Sequence, residues 1–596
     1  MAISSNHNII DQTMHKAYGL HQQGDVSSAK KLYQQVLELD PKHSDANRLL
    51  GVIACSFGYL KEASHFLNIA IVTKPKFAQN HFILGGIYKQ LFEMDKAISS
   101  YKKCITLKPE FIEAYNNLGL IYKSKKMFSD AISCYQNALR QQPNSAFTWS
   151  NLGNVLKETG RMDEALQALE KSFSIEPNFS AAYSNYLMAL NYTFNQDLEY
   201  VFKQHTNWAN YCPSSLKAKR FNFEGRDVKS KLRIGYISPD FHTHSVAYFI
   251  EPLLKAHDNE NFELFGYYNN AVFDKTNARI HSYFDHWTNI SDMPDQLVAE
   301  KIFEDEIDIL VDLAGHSANN ALPILYQKPA PIQVTWLGYP NTTGLSAVDY
   351  RVTDLLADPD GAELVHTESL IRLNNGFLCY EGDSEVPVQK DIPYDKNGYF
   401  TFGSFNNYVK VTPEVIEVWA QILKDVPQSK LILKSSQFAD KDTKGRCIKL
   451  FKKQGVSKER LNLVAMLPKP SDHMSFYGEL DLALDPFPYN GTTTTFEALW
   501  MGVPTLTLSG VVHASRVGES ILSRIGLESF VSYSKDEYIK LAKLKSESLD
   551  ELRALRVSLR ATMLSSPLCD QQDFAKQMEN AYRSMWESYG QEQELI

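Results

Sequence analysis

Much of what this sequence lacks narrows its reading. Its seven cysteines (55, 104, 134, 212, 379, 447 and 569) are scattered, odd in number and without Cys-x-x-Cys spacing. That argues against a disulfide framework or a thiolate zinc site and for a reducing compartment. No run approaches eighteen apolar residues, so no membrane-spanning helix is expected. The opening MAISSNHNIIDQTMHKAYG has no apolar signal core, and a cytoplasmic location is expected. Positive charge is not in excess: 61 Lys and Arg against 70 Asp and Glu leave a net charge of −9, which speaks against nucleic acid as the main partner. Neither Gly-x-Gly-x-x-Gly nor a P-loop motif occurs, so neither a dinucleotide dehydrogenase nor a P-loop enzyme is favoured.

What is present is globular material. The chain has 596 residues, 44% hydrophobic and 22% charged, enough for roughly three to five domain-sized units. The first third repeats. Pro41, Pro75, Pro109, Pro143 and Pro177 each follow the last by 34 residues, and Ala29, Ala63, Ala97, Ala131 and Ala165 keep the same step. Leu-Gly recurs at 50–51, 84–85, 118–119 and 152–153. A 34-residue helix–turn–helix unit with small residues at the crossings and proline at the end is the tetratricopeptide pattern. The Gly position is Ala17 in the first unit and Leu187 after the last, so residues 8–195 are expected to hold five repeats and a partial sixth. Such arrays form a superhelix whose inner groove takes extended peptide. Asn117, Asn151 and Asn185 share one register, and their amides, each donor and acceptor, are candidate acceptor-groove contacts. Leu49 and Ile83 occupy that register earlier, so the ladder covers the later units only.

Past a linker expected at 196–230 the period vanishes. LRIGYIS, FELFGYY, IDILVDLAG and IQVTWLGY, then YFTFGSF, KLILKSS, DLALDPF and PTLTLSG, are short β-rich runs between helical stretches. Two such sets predict two doubly wound domains, 231–390 and 391–570, followed by a C-terminal helix over 571–596. Ligand is expected where the C-terminal strand ends of the two sheets face a common cleft.

The unusual residues collect at those strand ends. SPDFHTHS supplies Asp240, His242 and His244; His316 follows IDILVDLAG; PNTTG follows IQVTWLGY. Lys410 stands just before a helix with Thr412 as cap and Pro413 in its first turn. LPKPSDHMSF adds Lys469 and His473. The run Thr492–Thr495 opens a helix that carries Glu497. One threonine suffices for a cap; four, with free N–H groups and a lysine nearby, suit a diphosphate. Glu497 suits ribose hydroxyls. Asp358 and Asp360 form an Asp-x-Asp around Pro359, more readily a turn than a cation site. His242 and His244 lack a third ligand at useful spacing, so no metal site is assigned. Asp305 is a fallback base or, more readily, a surface carboxylate.

SPDFHTHSVAYFIEP, LAGHSANN, PIQVTWLGYPNTTGL, TFGSFNNYVKVTPEV and DPFPYNGTTTTFEALWMGVP resemble, in order, the O-GlcNAc transferase family and within it the SPINDLY branch. The resemblance implies an α-helical tetratricopeptide superhelix followed by an α/β GT-B-type transferase of two Rossmann-like domains. It implies metal-independent, inverting transfer of a sugar from a nucleotide-sugar to Ser or Thr hydroxyls of proteins docked by the repeats. On it, His244 matches the proposed general base, His316 follows a strand end facing the sugar, and Lys410 matches the lysine on the diphosphate. Asn407 stands where animal relatives have Gln, and His473 lies beside the nucleotide. Thr492, Thr493 and Thr494 form the diphosphate-binding helix start, and Glu497 replaces a ribose-binding Asp. Phe476 departs from the Arg of animal members. UDP-GlcNAc is the expected donor and GDP-fucose the alternative; a non-catalytic repeat scaffold is the reading from another class. No cofactor, nucleic acid or membrane span is implied. The oligomeric state stays open, a homodimer included.

Overall fold

A computed structural model describes residues 2–194, 197–212, 221–223, 231–467 and 469–594. The chain divides into two compact units, Met1–Val155 and Leu156–Ile596.

The first unit is helical, running from Ala2–Gln22 through Phe128–Gln141 and into Ala146–Glu158. The repeat residues do what their types dictate. A Cβ at Gly51 would lie 2.0 Å from Leu67 Cδ2, at Gly85 2.8 Å from the Tyr101 ring, and at Gly119 2.6 Å from the Tyr135 ring, so only glycine allows those helices to meet. Ala29, Ala63, Ala97 and Ala131 are fully buried at the same seams. Pro41, Pro75 and Pro109 follow helices that end at Leu39, Thr73 and Leu107; proline, lacking an N–H, stops each one.

The second unit begins with the helical hairpin Met162–Ile175 and Ser180–Leu190, which continues the repeat pattern. Of the segment expected as a linker, residues 198–207 form the helix Leu198–Asn207 and Trp208–Tyr211 a 3-10 turn with Trp208 buried. Residues 195–196, 213–220 and 224–230 of that stretch lie outside the described residues.

Two parallel sheets follow. The first holds β1 (Leu232–Ser238), β2 (Phe262–Tyr268), β3 (His286–Asn289), β4 (Ile309–Asp312), β5 (Ile332–Thr335), β6 (Tyr350–Thr353) and β7 (Ser369–Arg372), in the order β3-β2-β1-β4-β5-β6-β7. The second holds β8 (Thr401–Ser404), β9 (Lys430–Lys434), β10 (Leu461–Val464), β11 (Leu482–Leu484), β12 (Thr505–Leu508) and β13 (Val531–Ser532), in the order β10-β9-β8-β11-β12-β13. Central strands such as β4, β5, β8 and β12 are buried at every residue, as sheets covered by helices on both faces require. Strand order reverses between β1 and β4 and between β8 and β11. These are the switch points at which a doubly wound sheet opens a crevice.

Polar contacts tie the two sheets' domains together. His513 Nδ1 lies 2.7 Å from Asp358 Oδ2, and Ser520 Oγ donates to Asp354 Oδ2 at 2.7 Å. The helix Gln571–Glu594 returns to the first domain, where the Tyr582 and Tyr236 hydroxyls are 3.2 Å apart and Glu579 meets His257 at 2.9 Å. No helix among the described residues is long and apolar enough to cross a membrane.

Candidate active site

The β8/β11 switch point gathers most of the residues singled out from sequence. β8 runs into Asn406, Asn407 and a 3-10 turn, Tyr408–Lys410. β11 runs into Asp485, Tyr489, Asn490, Gly491 and the helix Thr493–Trp500. Lys410 Nζ donates to the main-chain oxygen of Asn490 at 2.6 Å and lies 4.0 Å from the centroid of the Tyr489 ring. Burial lowers the lysine's pKa, and the Asp485 carboxylate opposes that shift. Asp485, fully enclosed, accepts the Gly491 N–H at 2.6 Å and the Thr507 hydroxyl at 2.8 Å; burial raises its own pKa. Gly491 is obligatory here: a Cβ would sit 2.5 Å from Thr494 Oγ1 and 2.9 Å from Asp485 Oδ1.

The four threonines divide their work. Thr495 Oγ1 donates back to Gly491 O at 3.1 Å, and Thr494 Oγ1 donates to Asn406 Oδ1 at 2.9 Å. Thr492 occupies the cap position without a side-chain cap bond. The hydroxyls of Thr492 and Thr493 are half-buried, and the first N–H groups of a helix have no intrahelical acceptor. Lys410 is thus bonded to the residue two before Thr492, at the loop that opens this helix, and an ammonium beside a helix start favours an anion.

One turn on, Glu497 Oε2 accepts from His473 Nε2 at 2.9 Å and from the Tyr477 hydroxyl at 2.9 Å. Burial raises the Glu497 pKa to about 7. Phe476 stacks on Phe405 with centroids 5.3 Å apart and planes 20° from parallel. Asn407 Oδ1 accepts from Val409 N–H at 3.1 Å and from Gln437 Nε2 at 2.7 Å. The same Gln437 amide donates to Glu158 Oε2 at 2.7 Å. The Lys469 side chain is exposed at the start of the helix Pro470–Ser475.

Across the cleft, His244 follows β1. Its Nδ1 accepts from Val246 N–H at 3.3 Å and lies 3.5 Å from Asp240 Oδ2. Burial lowers the His244 pKa and raises that of Asp240 to about 6. His242 faces the Tyr268 hydroxyl at 3.3 Å.

His316 is a correction. Expected at the sugar, it is 1% exposed, and both ring nitrogens are taken: Nδ1 lies 3.1 Å from Ser184 Oγ and Nε2 2.8 Å from Thr343 O. The carbonyl requires a proton on Nε2, so Nδ1 accepts from Ser184, whose oxygen in turn accepts the Trp208 indole N–H at 2.8 Å. Burial holds the imidazole neutral. The ring locks the Ser180–Leu190 helix onto the loops after β4 and β5, with no face left for a reacting group. Asp305 lies at the opposite, N-terminal end of β4, bonded to the Tyr267 hydroxyl at 2.8 Å and to Lys301. Asp358 is paired with His513 and Arg351 while Asp360 is exposed, so the two do not converge. Among the described residues no group of three or more His, Cys, Asp and Glu is placed to hold a metal ion.

Asn117 and Asn151, in the first unit, and Asn185, in the second, are each half-buried on their helices. Asn151 Nδ2 is buried with no hydrogen-bond partner. The sequence reading missed Asn406, Tyr489, Gln437 and Lys434. Lys434 is buried at the end of β9, 4.8 Å from the Phe405 ring centroid, its pKa lowered by burial to about 8. A lysine closing a buried strand was the one signal available beforehand.

Residues 190–390 and 389–578 match the sequence profile of Glycosyl transferase family 41. Stretches 20–79, 85–126, 112–145 and 134–167 match tetratricopeptide repeat profiles. Over 410 residues the chain is 41% identical to a Petunia hybrida protein named probable UDP-N-acetylglucosamine–peptide N-acetylglucosaminyltransferase SPINDLY, covering 68% of this chain and 44% of that one. An Arabidopsis thaliana protein of the same name is 41% identical over 412 residues, with 68% and 44% covered. The chain thus spans under half the length of these curated relatives. A mutant of the Thermobaculum terrenum O-GlcNAc transferase superposes with a TM-score of 0.80 at 32% identity, covering 86% of this chain and 98% of that one.

Proposed function

This chain belongs to glycosyl transferase family 41, and from that premise we propose that it is a cytoplasmic, inverting protein O-glycosyltransferase that moves a sugar from a nucleotide-sugar to a Ser or Thr hydroxyl. The observation that carries the reading is the anion cradle at the β8/β11 switch point: Lys410 on the Asn490 carbonyl, beside the open hydroxyls of Thr492 and Thr493. In the reaction the acceptor oxygen forms a bond to the anomeric carbon as the bond from that carbon to the diphosphate oxygen breaks. The electron pair leaves with the nucleoside diphosphate. Lys410 and the helix-start N–H groups meet the growing charge without reorganising. His244 takes the hydroxyl proton, directly or through water, for a typical gain of about 10²–10⁴. Glu497 and His473 hold the ribose side, and Asn407 and Phe476 border the base. Asn117 and Asn151, with Asn185 on its own helix, are the proposed contacts for acceptor backbone.

The donor proposed is UDP-GlcNAc, the sugar nucleotide in the relatives' names. One observation favours GDP-fucose as a second reading: Phe476 stacks on Phe405, and a purine covers such an aromatic face better than a pyrimidine. Each donor is to be incubated with the protein and a Ser/Thr peptide library, with glycopeptide followed by mass spectrometry. The true donor yields glycopeptide and raises the melting temperature; at a hundred times its Kd it adds about 2.7 kcal/mol. No glycopeptide from any nucleotide-sugar refutes the reading.

A further inference from the structure

A cavity of about 500 Å³ opens at the C-terminal ends of β12 and β13, within the second unit and next to the cradle. Leu190, Leu198 and Val201 form one wall, and Pro488, Leu508 and Val511 the other. Pro488 directly precedes Tyr489 and Asn490, the two residues in contact with Lys410, so the cavity and the proposed donor site share one loop. It is of the size that admits a large side chain or small ligand. Its surface is mostly apolar, Val511 stands 78% exposed at the rim, and the lining contains no carboxylate. Its one ionic group is Lys535, whose ammonium sits 4.0 Å from the centroid of the Phe194 ring and has no carboxylate partner among the described residues.

We propose that this cavity is an acceptor side-chain subsite: it receives an aliphatic or aromatic side chain of the polypeptide being glycosylated, and Lys535 meets a carboxylate next to that side chain. The inference rests on the glycosyltransferase reading. Pro488 lines the cavity and the next two residues, Tyr489 and Asn490, hold Lys410, so a polypeptide presenting its hydroxyl beside the cradle has this cavity within reach of a neighbouring side chain. An apolar hollow with a single unpaired cation at its edge selects an apolar residue with an acidic neighbour; a basic neighbour is repelled, so selectivity comes from rejection as much as from contact.

The test uses the full-length protein and acceptor peptides that differ only beside the modified Ser or Thr, carrying Leu, Phe or Ala flanked by Asp or Lys. The native protein is expected to prefer Leu or Phe with Asp over Ala with Lys by about tenfold or more in kcat/KM, the usual worth of a few buried methylenes. Val201→Trp, which fills the cavity, and Val511→Glu, at an exposed position where substitutions cost the fold little, should each abolish that preference. Lys535→Glu should invert the Asp-over-Lys choice. Nucleotide-induced thermal stabilisation and donor hydrolysis should be unchanged in all three. Transfer by the native protein with no flanking selectivity overturns the subsite alone. Absence of transfer from every nucleotide-sugar overturns the glycosyltransferase reading, and the subsite with it. A native dimer that Val511→Glu converts to monomer assigns the face to a second copy and also overturns the proposal.

Discussion

The ammonium of Lys410 rests 4.0 Å from the centroid of the Tyr489 ring, and Tyr489 is itself stacked on Tyr192 at 5.0 Å with planes 19° apart. The cation is held by a π-face and one carbonyl oxygen, with Asp485 enclosed nearby as the opposing charge. A diphosphate replaces two weak partners with a full charge at the same place. Replacing Lys410 with alanine should lower kcat/KM for transfer by about 10²–10³, the cost of one preorganised donor to a developing anion. Thermal stability should fall while the protein stays folded, since the Asn490 carbonyl loses its donor and the enclosed Asp485 its opposing charge. Full turnover in that variant, followed by nucleotide release, would remove Lys410 from the diphosphate.

His244 has two neighbours with opposite demands. The Val246 N–H asks for a bare Nδ1, whereas an ionised Asp240 asks for a protonated one. Only the second arrangement leaves Nε2 free to accept a proton. Asp240 ionises with its pKa raised to about 6, and His244 is held below its usual value. Transfer should therefore rise with pH between about 5 and 7 as Asp240 loses its proton. Asp240→Asn should lower kcat without raising the donor KM and should erase that limb of the profile. A pH–rate curve identical in Asp240→Asn and the native protein would show that Asp240 does not set the tautomer.

Glu497 carries a linkage of the opposite sign from a salt-bridged acid. Its folded pKa is raised from 4.5 to about 7, so the native state binds the proton more tightly than the unfolded chain does. Its contribution is present at low pH and is lost as pH climbs from about 4.5 through 7, a change of roughly 3 kcal/mol. Chemical denaturation at pH 5 and pH 8 should show Glu497→Gln losing less stability over that interval than the native protein. Equal losses in the two would mean that His473 and Tyr477 compensate the buried charge fully.

For His316 the expected effect is on stability. His316→Ala strips Ser184 of its acceptor and the Thr343 carbonyl of its donor, and two buried groups left unpaired cost about 2–5 kcal/mol together. The melting temperature should drop while kcat per folded molecule stays near native. A lost kcat at an unchanged melting temperature would return His316 to the reacting centre.

The same residue marks what sequence can and cannot carry. A histidine after a buried strand looks alike whether its ring faces a cleft or a neighbouring helix, because the partner, Ser184, lies 132 positions away. Local signals did better: LRIGYIS and FELFGYY coincide with β1 and β2, and the threonine run does open the helix Thr493–Trp500. β6 escaped notice because its YRVT contains Arg351, whose burial depends on distant partners: its guanidinium reaches the carbonyls of Tyr339 and Asn341 and the carboxylate of Asp358. β3 and β10 are edge strands of four residues each, β3 with half-exposed, mostly polar residues, and both too short to show a pattern that stands out. Asn406 and Gln437 are legible only once β8 and β11 lie side by side.

Gln437, with one amide shared between Glu158 and Asn407, sets where this molecule can be cut. Glu158, Tyr192 and Ser184 lie on stretches that continue the repeat pattern, yet they brace Gln437, Tyr489 and His316. A chain begun at residue 156 keeps all three braces; a chain begun at residue 198 keeps none. Joining the α/β half to a different module therefore calls for a splice inside the helix Ala146–Glu158, because a splice at the visible end of the repeats removes Glu158, Ser184 and Tyr192 together.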